Sequence, residues 1–344
     1  MRNRISQAKN PVLLALLFGL LISSIISAMV IPQQRNLLTN IARGVNVDMA
    51  AMIPGTHYTI TTVNGGNFFE LAARLGINTL RITDMQWEIM GKEYPQSSWR
   101  YVFDQAGRYH INVILLLLDG NGHPGSEQAH TLLDNYGLAR MPALWMVDLY
   151  NEPDLSDPQL MKALGKEAIY VRQMAPAASV TIGGWKSRVP GHPGEFRWQD
   201  PADIPRFLHL VDVVSPHLYE FEQKMLLGFT PQKWTQNFLS AVRRASQHKP
   251  ILLEEFGASN GLAPTSNATT TGSPEWQASV YRGVFQEVAA EHNQGVIGAL
   301  AWIMAPRPPQ SDDFQGDMAG WAFVLDHGHR LLSAANEFSD ATHP

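Results

Sequence analysis

Eight short runs rich in apolar and β-branched residues recur along the chain, at 43–48 (RGVNVD), 77–83 (INTLRIT), 111–119, 143–151, 179–185, 211–219, 250–256 and 296–304. Each has the length and residue preference of a strand, and most lack the alternation of a sheet with one wet face. Between them lie stretches of helical length and period, at 66–75, 97–109, 126–138, 157–174, 201–209, 231–247, 274–292 and 329–338. Asp157-Pro158, Asp200-Pro201 and Ser273-Pro274 mark helix starts, because the side-chain oxygen meets orphan amides and the ring pre-sets φ. Eight strand-helix repeats predict an α/β chain folded as a single (β/α)8 TIM barrel. Segments from strand to next helix are the long ones, at 84–96, 186–199, 257–272 and 305–320. In such a barrel those loops form the active face.

Residues 1–35 stand apart from this pattern. Arg2, Arg4 and Lys9 precede an uncharged apolar stretch from Pro11 to Ile31. It reads either as a cleaved export signal or as a retained membrane anchor, and both readings put the rest of the chain outside the cytoplasm. The domain expected to follow spans 36–344. The N-terminal segment would give it a membrane contact only if it is not cleaved.

The composition narrows the chemistry. The absence of Cys removes disulfide scaffolds, thiol nucleophiles and thiolate metal sites. A net charge of -5 without a long basic run argues against a nucleic-acid partner. The sequence contains no Gly-rich phosphate loop, serine elbow or metal-ligand spacing, so no cofactor and no metal is expected.

What remains is carboxylate chemistry at strand ends. Asn151-Glu152-Pro153 closes the fourth strand and Glu254-Glu255-Phe256-Gly257 the seventh. Both Glu positions follow apolar runs where a solvated charge has no obvious place. Two carboxyls across a barrel mouth suit retaining hydrolysis of an acetal, where one protonates the leaving oxygen and the other attacks. Strict strand alternation sends Glu254 and Glu255 to opposite faces, so only one of them can point into the mouth and the other would face the helices or lie near the rim.

Asn-Glu-Pro on the fourth strand, 103 residues before the Glu of Glu-Phe-Gly on the seventh, resembles the retaining glycoside hydrolases of clan A, most closely family 5. The resemblance covers the chain from about residue 40 onward. It implies that Glu152 is the general acid/base and Glu255 the nucleophile, and that Arg81 lies near the nucleophile and holds it ionised. It further implies that Asn151 donates to the sugar 2-hydroxyl, that the Tyr219 hydroxyl bonds the nucleophile, that His217 lines the sugar site, and that Trp302 is the platform under the cleaved sugar. One position departs from the family pattern: many members carry a His at the end of the third strand, where this chain has Asp119, with His123 four residues on. Asp119 is expected either to bond sugar hydroxyls or to cap its loop.

The loops offer Trp87, Tyr94, Trp185, Trp198 and Trp321 as substrate-binding aromatics, and Trp87 and Trp185, which follow strand ends directly, are favoured over Trp99, Trp234 and Trp276. Trp99, Trp234 and Trp276 fall on helices and are expected in the core. The functional expectation is an exported, cofactor-free hydrolase of β-glycosidic bonds in a polysaccharide or oligosaccharide, working by double displacement. Transglycosylation with the same pair, or a barrel that only binds carbohydrate, are the alternatives.

Overall fold

The computed structural model describes residues 41–62, 64–84, 94–117, 126–192, 194–262, 272–306 and 320–338. The expected segment 1–35 lies outside them. Among the described residues no helix is long and apolar enough to cross a membrane.

In chain order the strands are β1 (Ala42–Asp48), β2 (Thr79–Thr83), β3 (Asn112–Leu116), β4 (Leu144–Asn151), β5 (Ser179–Gly183), β6 (Lys186–Arg188), β7 (Phe196–Trp198), β8 (His217–Leu218), β9 (Ile251–Phe256), β10 (Val296–Ala301), β11 (Val324–Leu325) and β12 (Arg330–Leu331). Eight of them form one parallel sheet in the order β5-β4-β3-β2-β1-β10-β9-β8. Its two edges meet: Gly183 bridges Ser215, and the Gly184 amide donates to the Ser215 carbonyl at 2.8 Å. The sheet thus closes into the expected barrel.

Helices flank the strands where the pattern placed them: α1 (Phe68–Arg74), α2 (Gln96–Arg108), α3 (Pro158–Met174), α4 (Pro231–Ala245) and α5 (Pro274–Glu291). Asp157 caps α3 by accepting from the Gln159 and Leu160 amides, and Ser273 caps α5 by accepting from Trp276. Such caps satisfy amides that have no partner within the helix.

Strand alternation divides the residues between two environments. On β2, Leu80 and Ile82 join the continuous apolar cluster shared with the helices, while Thr79, Arg81 and Thr83 are buried on the opposite face, inside the barrel. The interior near its C-terminal end is therefore polar, with Asn46, Asp48, Arg81, Asp148 and Glu254 all buried.

Several elements differ from expectation: the helix expected at 126–138 is one short α turn, Ser126–Ala129, continued as a π-helix, His130–Asn135, and that at 201–209 is a 3-10 turn, Pro201–Asp203, leading into Ile204–Phe207. The sixth barrel strand is reduced to His217–Leu218, because Pro216 has no N–H to give the ladder; the carbonyls of Val214 and Pro216 still accept from Leu252 and Glu254. The last helix is a 3-10 turn, Ser333–Phe338. Segment 186–199 is not an open loop but the antiparallel hairpin β6–β7.

Candidate active site

Two bulges build the site. In the pairing of β9 with β10, Leu253 faces Ala299 and Phe256 faces Ala301, so β9 carries one residue more than its neighbour between those points. Leu253 and Phe256 both join the helix-side cluster, and Glu254 and Glu255 both turn toward Arg81 inside the barrel. The same happens on β4 against β5, where Asp148 faces Thr181 and Asn151 faces Gly183. Leu149 and Tyr150 face the helices, and Asp148 and Asn151 both reach Arg81. A bulge breaks the two-residue period locally and re-aims side chains. Glu254 therefore occupies neither the helical layer nor the rim, as alternation required, but the barrel interior.

Arg81 is the hub. Its Nε and Nη2 donate to Asp148 Oδ2 at 3.0 and 2.6 Å, Nη1 to Glu255 Oε1 at 2.6 Å and to Asn46 Oδ1 at 3.0 Å, and Nη2 to Asn151 Oδ1 at 2.8 Å. Burial lowers the guanidinium's pKa, but the charges of Asp148, Glu254 and Glu255 more than offset this and raise it. Asn151 thus spends its amide oxygen on Arg81, and its NH2 end is left to donate. Gly183 makes room for this cluster: a Cβ there would lie 2.5 Å from Arg81 Nη2 and 2.6 Å from Asp148 Oδ2.

Glu254 stands differently from its neighbours. It is fully buried, 3.5 Å from Arg81 Nε, and neither carboxyl oxygen has a hydrogen-bond partner. Burial first, and then the charges of Asp148 and Glu255 against that of Arg81, raise its pKa well above the usual carboxyl range. One guanidinium faces three carboxyls, and Glu254 is the one that makes no hydrogen bond to it.

Glu255 takes its second hydrogen bond from the Tyr219 hydroxyl, at 2.8 Å to Oε2. Burial and the Glu255 charge raise the Tyr219 pKa well above its ordinary value, so the phenol remains a donor. His217 Nδ1 lies 2.9 Å from Glu152 Oε1 and 3.5 Å from Glu255 Oε2. His217 Nε2 is buried without a partner, so the ring meets the mouth carboxyls through Nδ1 alone, whose N–H donates to Glu152 Oε1. Gly184, at φ +61°, permits this approach, since a Cβ there would come within 2.7 Å of His217 Nδ1.

Glu152 leaves the end of β4 in the left-handed region, at φ +52°, with its amide donating to the Gly183 carbonyl at 2.7 Å. A side-chain-bearing residue holds that conformation at a cost of about 1–3 kcal/mol, which surrounding structure must offset. Burial pushes its carboxyl pKa up, but the His217 hydrogen bond, with the charges of His217, Lys186 and Arg81, outweighs burial and leaves it below the usual value. Ligand atoms of Glu152, His217 and Glu255 all lie within 4.8 Å of one another, the one such grouping among the described residues that could reach a cation. Sequence spacing gave no hint of that set, because three separate strands supply it.

The other expected residues divide. Trp302 follows β10, half-buried, its amide donating to the Phe256 carbonyl at 2.7 Å. The indole of Trp321 packs edge-on to Tyr219, ring centres 5.9 Å apart, beside Gly257. Trp185 is no substrate platform: it is fully buried against Phe207, with its indole N–H donating to the Asp200 carbonyl at 3.0 Å. It anchors the root of the β6–β7 hairpin, and the exposed indole there is Trp198. Trp99 is core as expected, and Trp234 and Trp276 are half-buried against it. Asp119, His123 and Trp87 lie outside the described residues.

Asp148, Asn46 and Gln199 were not singled out in the sequence. Asp148 and Asn46 left a signal, each a polar residue within a buried apolar run. Gln199, whose Oε1 accepts from the His217 amide at 3.1 Å, left none.

No protein-family model matches the chain, and no curated protein matches it by sequence. Solved structures match in shape. The chain is similar to the endo-β-1,4-mannanase of Thermotoga petrophila, at 18% identity and TM-score 0.57, covering 89% of this chain and 77% of that one. It is similar to the GH53 catalytic domain of Ignisphaera aggregans, at 18% identity and TM-score 0.61, covering 87% and 95%. It is also similar to a glycoside hydrolase family 5 mannosidase of Rhizomucor miehei, at 14% identity and TM-score 0.56, covering 88% and 92%. At these identities the likeness shows the barrel fold.

Proposed function

We propose that the chain is a retaining glycoside hydrolase acting on β-linked glycan, with Glu255 as nucleophile and Glu152 as acid/base. One observation carries the reading: a single nitrogen, His217 Nδ1, lies 2.9 Å from one mouth carboxyl and 3.5 Å from the other. Carboxyl oxygens of Glu152 and Glu255 that lie within 4.8 Å of each other favour the roughly 5–5.5 Å spacing of retaining pairs over the about 6.5–9.5 Å of inverting pairs. The shape likeness to mannanase and mannosidase structures supports the same class.

In this mechanism Glu255, oriented by Arg81 and Tyr219, attacks the anomeric carbon, and the glycosidic oxygen leaves with a proton. That proton belongs to the Glu152–His217 pair: with one more proton than neutral His and carboxylate, the pair can place it on the Glu152 oxygen that faces the leaving group. Deprotonated again, Glu152 draws the proton from an incoming water, which releases the sugar with its configuration retained. Asn151 offers its NH2 to the sugar and Trp302 the platform. A sugar in place of water would give transglycosylation through the same intermediate.

The basic N-terminus and the apolar stretch to Ile31 support export, with the barrel outside the cytoplasm. The decisive test of the chemistry is a panel of aryl β-glycosides with and without azide. Glu255→Ala is expected to lose about three or more orders of magnitude in rate. Azide should restore turnover in that variant and give the inverted glycosyl azide, whereas Glu152→Ala with azide gives the retained one. Net inversion by the unmodified protein, read by NMR, refutes the reading.

A further inference from the structure

The β6–β7 hairpin is clipped directly onto the segment that follows Glu152. The Lys186 amide donates to the Pro153 carbonyl at 3.0 Å, and the Leu155 amide to the Lys186 carbonyl at 2.8 Å. From below, Trp185 holds it in the core; at its return, the Gln199 amide donates to the Trp185 carbonyl at 3.0 Å while the Gln199 side chain accepts from His217. The hairpin is therefore fixed relative to the acid/base carboxyl before any ligand arrives.

Its charges are paired except one. Arg188 pairs with Asp154 at 2.9 Å, Arg197 with Asp200 at 3.3 Å and with Asp203 at 3.7 Å, and His192 with Glu195 at 3.7 Å. Lys186 makes no ion pair with a carboxylate among the described residues. Its ammonium lies over two rings instead, 4.8 Å from the centre of Trp198 and 5.4 Å from that of Phe196. The rings hold the cation in place without neutralising it. It is also near enough to Glu152 for its charge to act on that carboxyl. Trp198 remains 52% exposed, and beyond Phe196 the surface opens into a hollow of about 570 Å3 lined by Arg188, Val189, Gly191, His192, Gly194 and Phe196.

An acid/base residue protonates the oxygen of the departing sugar, so side chains beside it and away from the nucleophile meet the leaving group. We propose that Lys186, Phe196 and Trp198 form a leaving-group subsite for a sugar bearing a carboxylate, a hexuronate unit, whose ring lies on Trp198 and whose carboxylate pairs with Lys186. This assignment rests on the glycosidase reading above. Stacking supplies tolerance for the sugar's C–H face. The fixed unpaired ammonium supplies the preference for an anion, because pairing a pre-placed, half-desolvated charge costs little further ordering.

The test is equilibrium binding by calorimetry to the full chain carrying Glu255→Ala, with two matched probe pairs that differ only at C6: β-1,4-trimannuronate against β-1,4-mannotriose, and β-1,4-triglucuronate against cellotriose. At least one acid is expected to bind about tenfold or more tightly than its neutral partner, with a ratio that shrinks as salt rises. Lys186→Gln should bring that ratio to near one, and Trp198→Ala should weaken both members together. Equal binding of acid and neutral probes in both pairs, or a ratio that survives Lys186→Gln, overturns the proposal. Binding needs no turnover, so failure of the azide experiment and failure of this one are separate results.

Discussion

The two carboxyls at the barrel mouth sit in opposite kinds of surroundings. Glu255 is 6% exposed in its side chain and fastened at both oxygens, by Arg81 and by Tyr219, within a ring of groups that cannot move independently. Glu152 is 26% exposed, projects from a left-handed residue, and touches one titratable partner, His217. The contrast suits the role proposed for each, Glu255 as nucleophile and Glu152 as acid/base. A nucleophile needs fixed position at one atom, which packing and charge-assisted hydrogen bonds supply. A group that gives and regains a proton in each cycle needs a partner with which to share it and a route to water.

The contrast is broken most forcefully at its hub. Replacing Arg81 with Met leaves Asp148, Glu254 and Glu255 buried together without a cation. Removing one side of a buried ion pair costs on the order of 3–5 kcal/mol, and here three carboxyls lose the same partner. Arg81→Met is therefore expected to unfold at markedly lower urea than the unmodified chain and to lose most activity on aryl β-glycosides. A variant of unchanged stability would mean that the cluster is not the closed unit described here.

The proposed acid/base role of Glu152 is tested through pH. The free-protein pKa of Glu152 is lowered by His217 against the upward push of burial. Lowered, it loses its proton earlier as pH rises, so the alkaline limb of kcat/KM should lie at lower pH than it would for a carboxyl governed by burial alone. His217→Leu removes the hydrogen bond and leaves burial in force, so that limb should move to higher pH even as the maximal rate falls. The direction is the readout, since mere loss of structure lowers the rate without moving the limb. A limb that stays, or moves to lower pH, would place the titrating group elsewhere.

How much of this could be read from the chain follows from period and exception. The barrel was legible because eight buried strands and their capped helices repeat one hydrophobic pattern; Glu152, Glu255, His217 and Tyr219 stand at or beside the ends of those strands, while Arg81, marked by the family resemblance, sits in the middle of β2. The errors share a cause, which is that local backbone departs from the period. The bulge at Glu254–Glu255 defeats alternation, and Pro216 shortens β8. Trp185, read as surface because a strand had just ended, is buried because β6 begins one residue later and folds the chain back over it. The hairpin had left its mark, in Lys-Ser-Arg and Phe-Arg-Trp around Gly191-His192-Pro193-Gly194.

The finest distinction lies between neighbours, Glu254 and Glu255. If Glu254 is the proton-bearing member of the Arg81 cluster, its neutral isostere should be nearly silent: Glu254→Gln is expected to keep activity within a few-fold and stability within about 1 kcal/mol, as an amide replaces an uncharged acid of the same shape. Linkage gives this a sign. A carboxyl whose folded pKa is raised supports folding while protonated and loses that contribution as pH climbs from its unfolded value toward the folded one. Glu254→Gln, which cannot ionise, should therefore match the unmodified chain below the unfolded carboxyl pKa and gain on it as pH rises above. Glu254→Ala should fare worse than Gln at every pH, because it opens a void beside Arg81 and Gly183 in the barrel interior. Urea melts of the three chains across the pH range separate these outcomes. If Glu254→Gln proves as damaging as Glu255→Gln, the proton lies elsewhere in the cluster, and the two adjacent carboxyls share one role rather than dividing two.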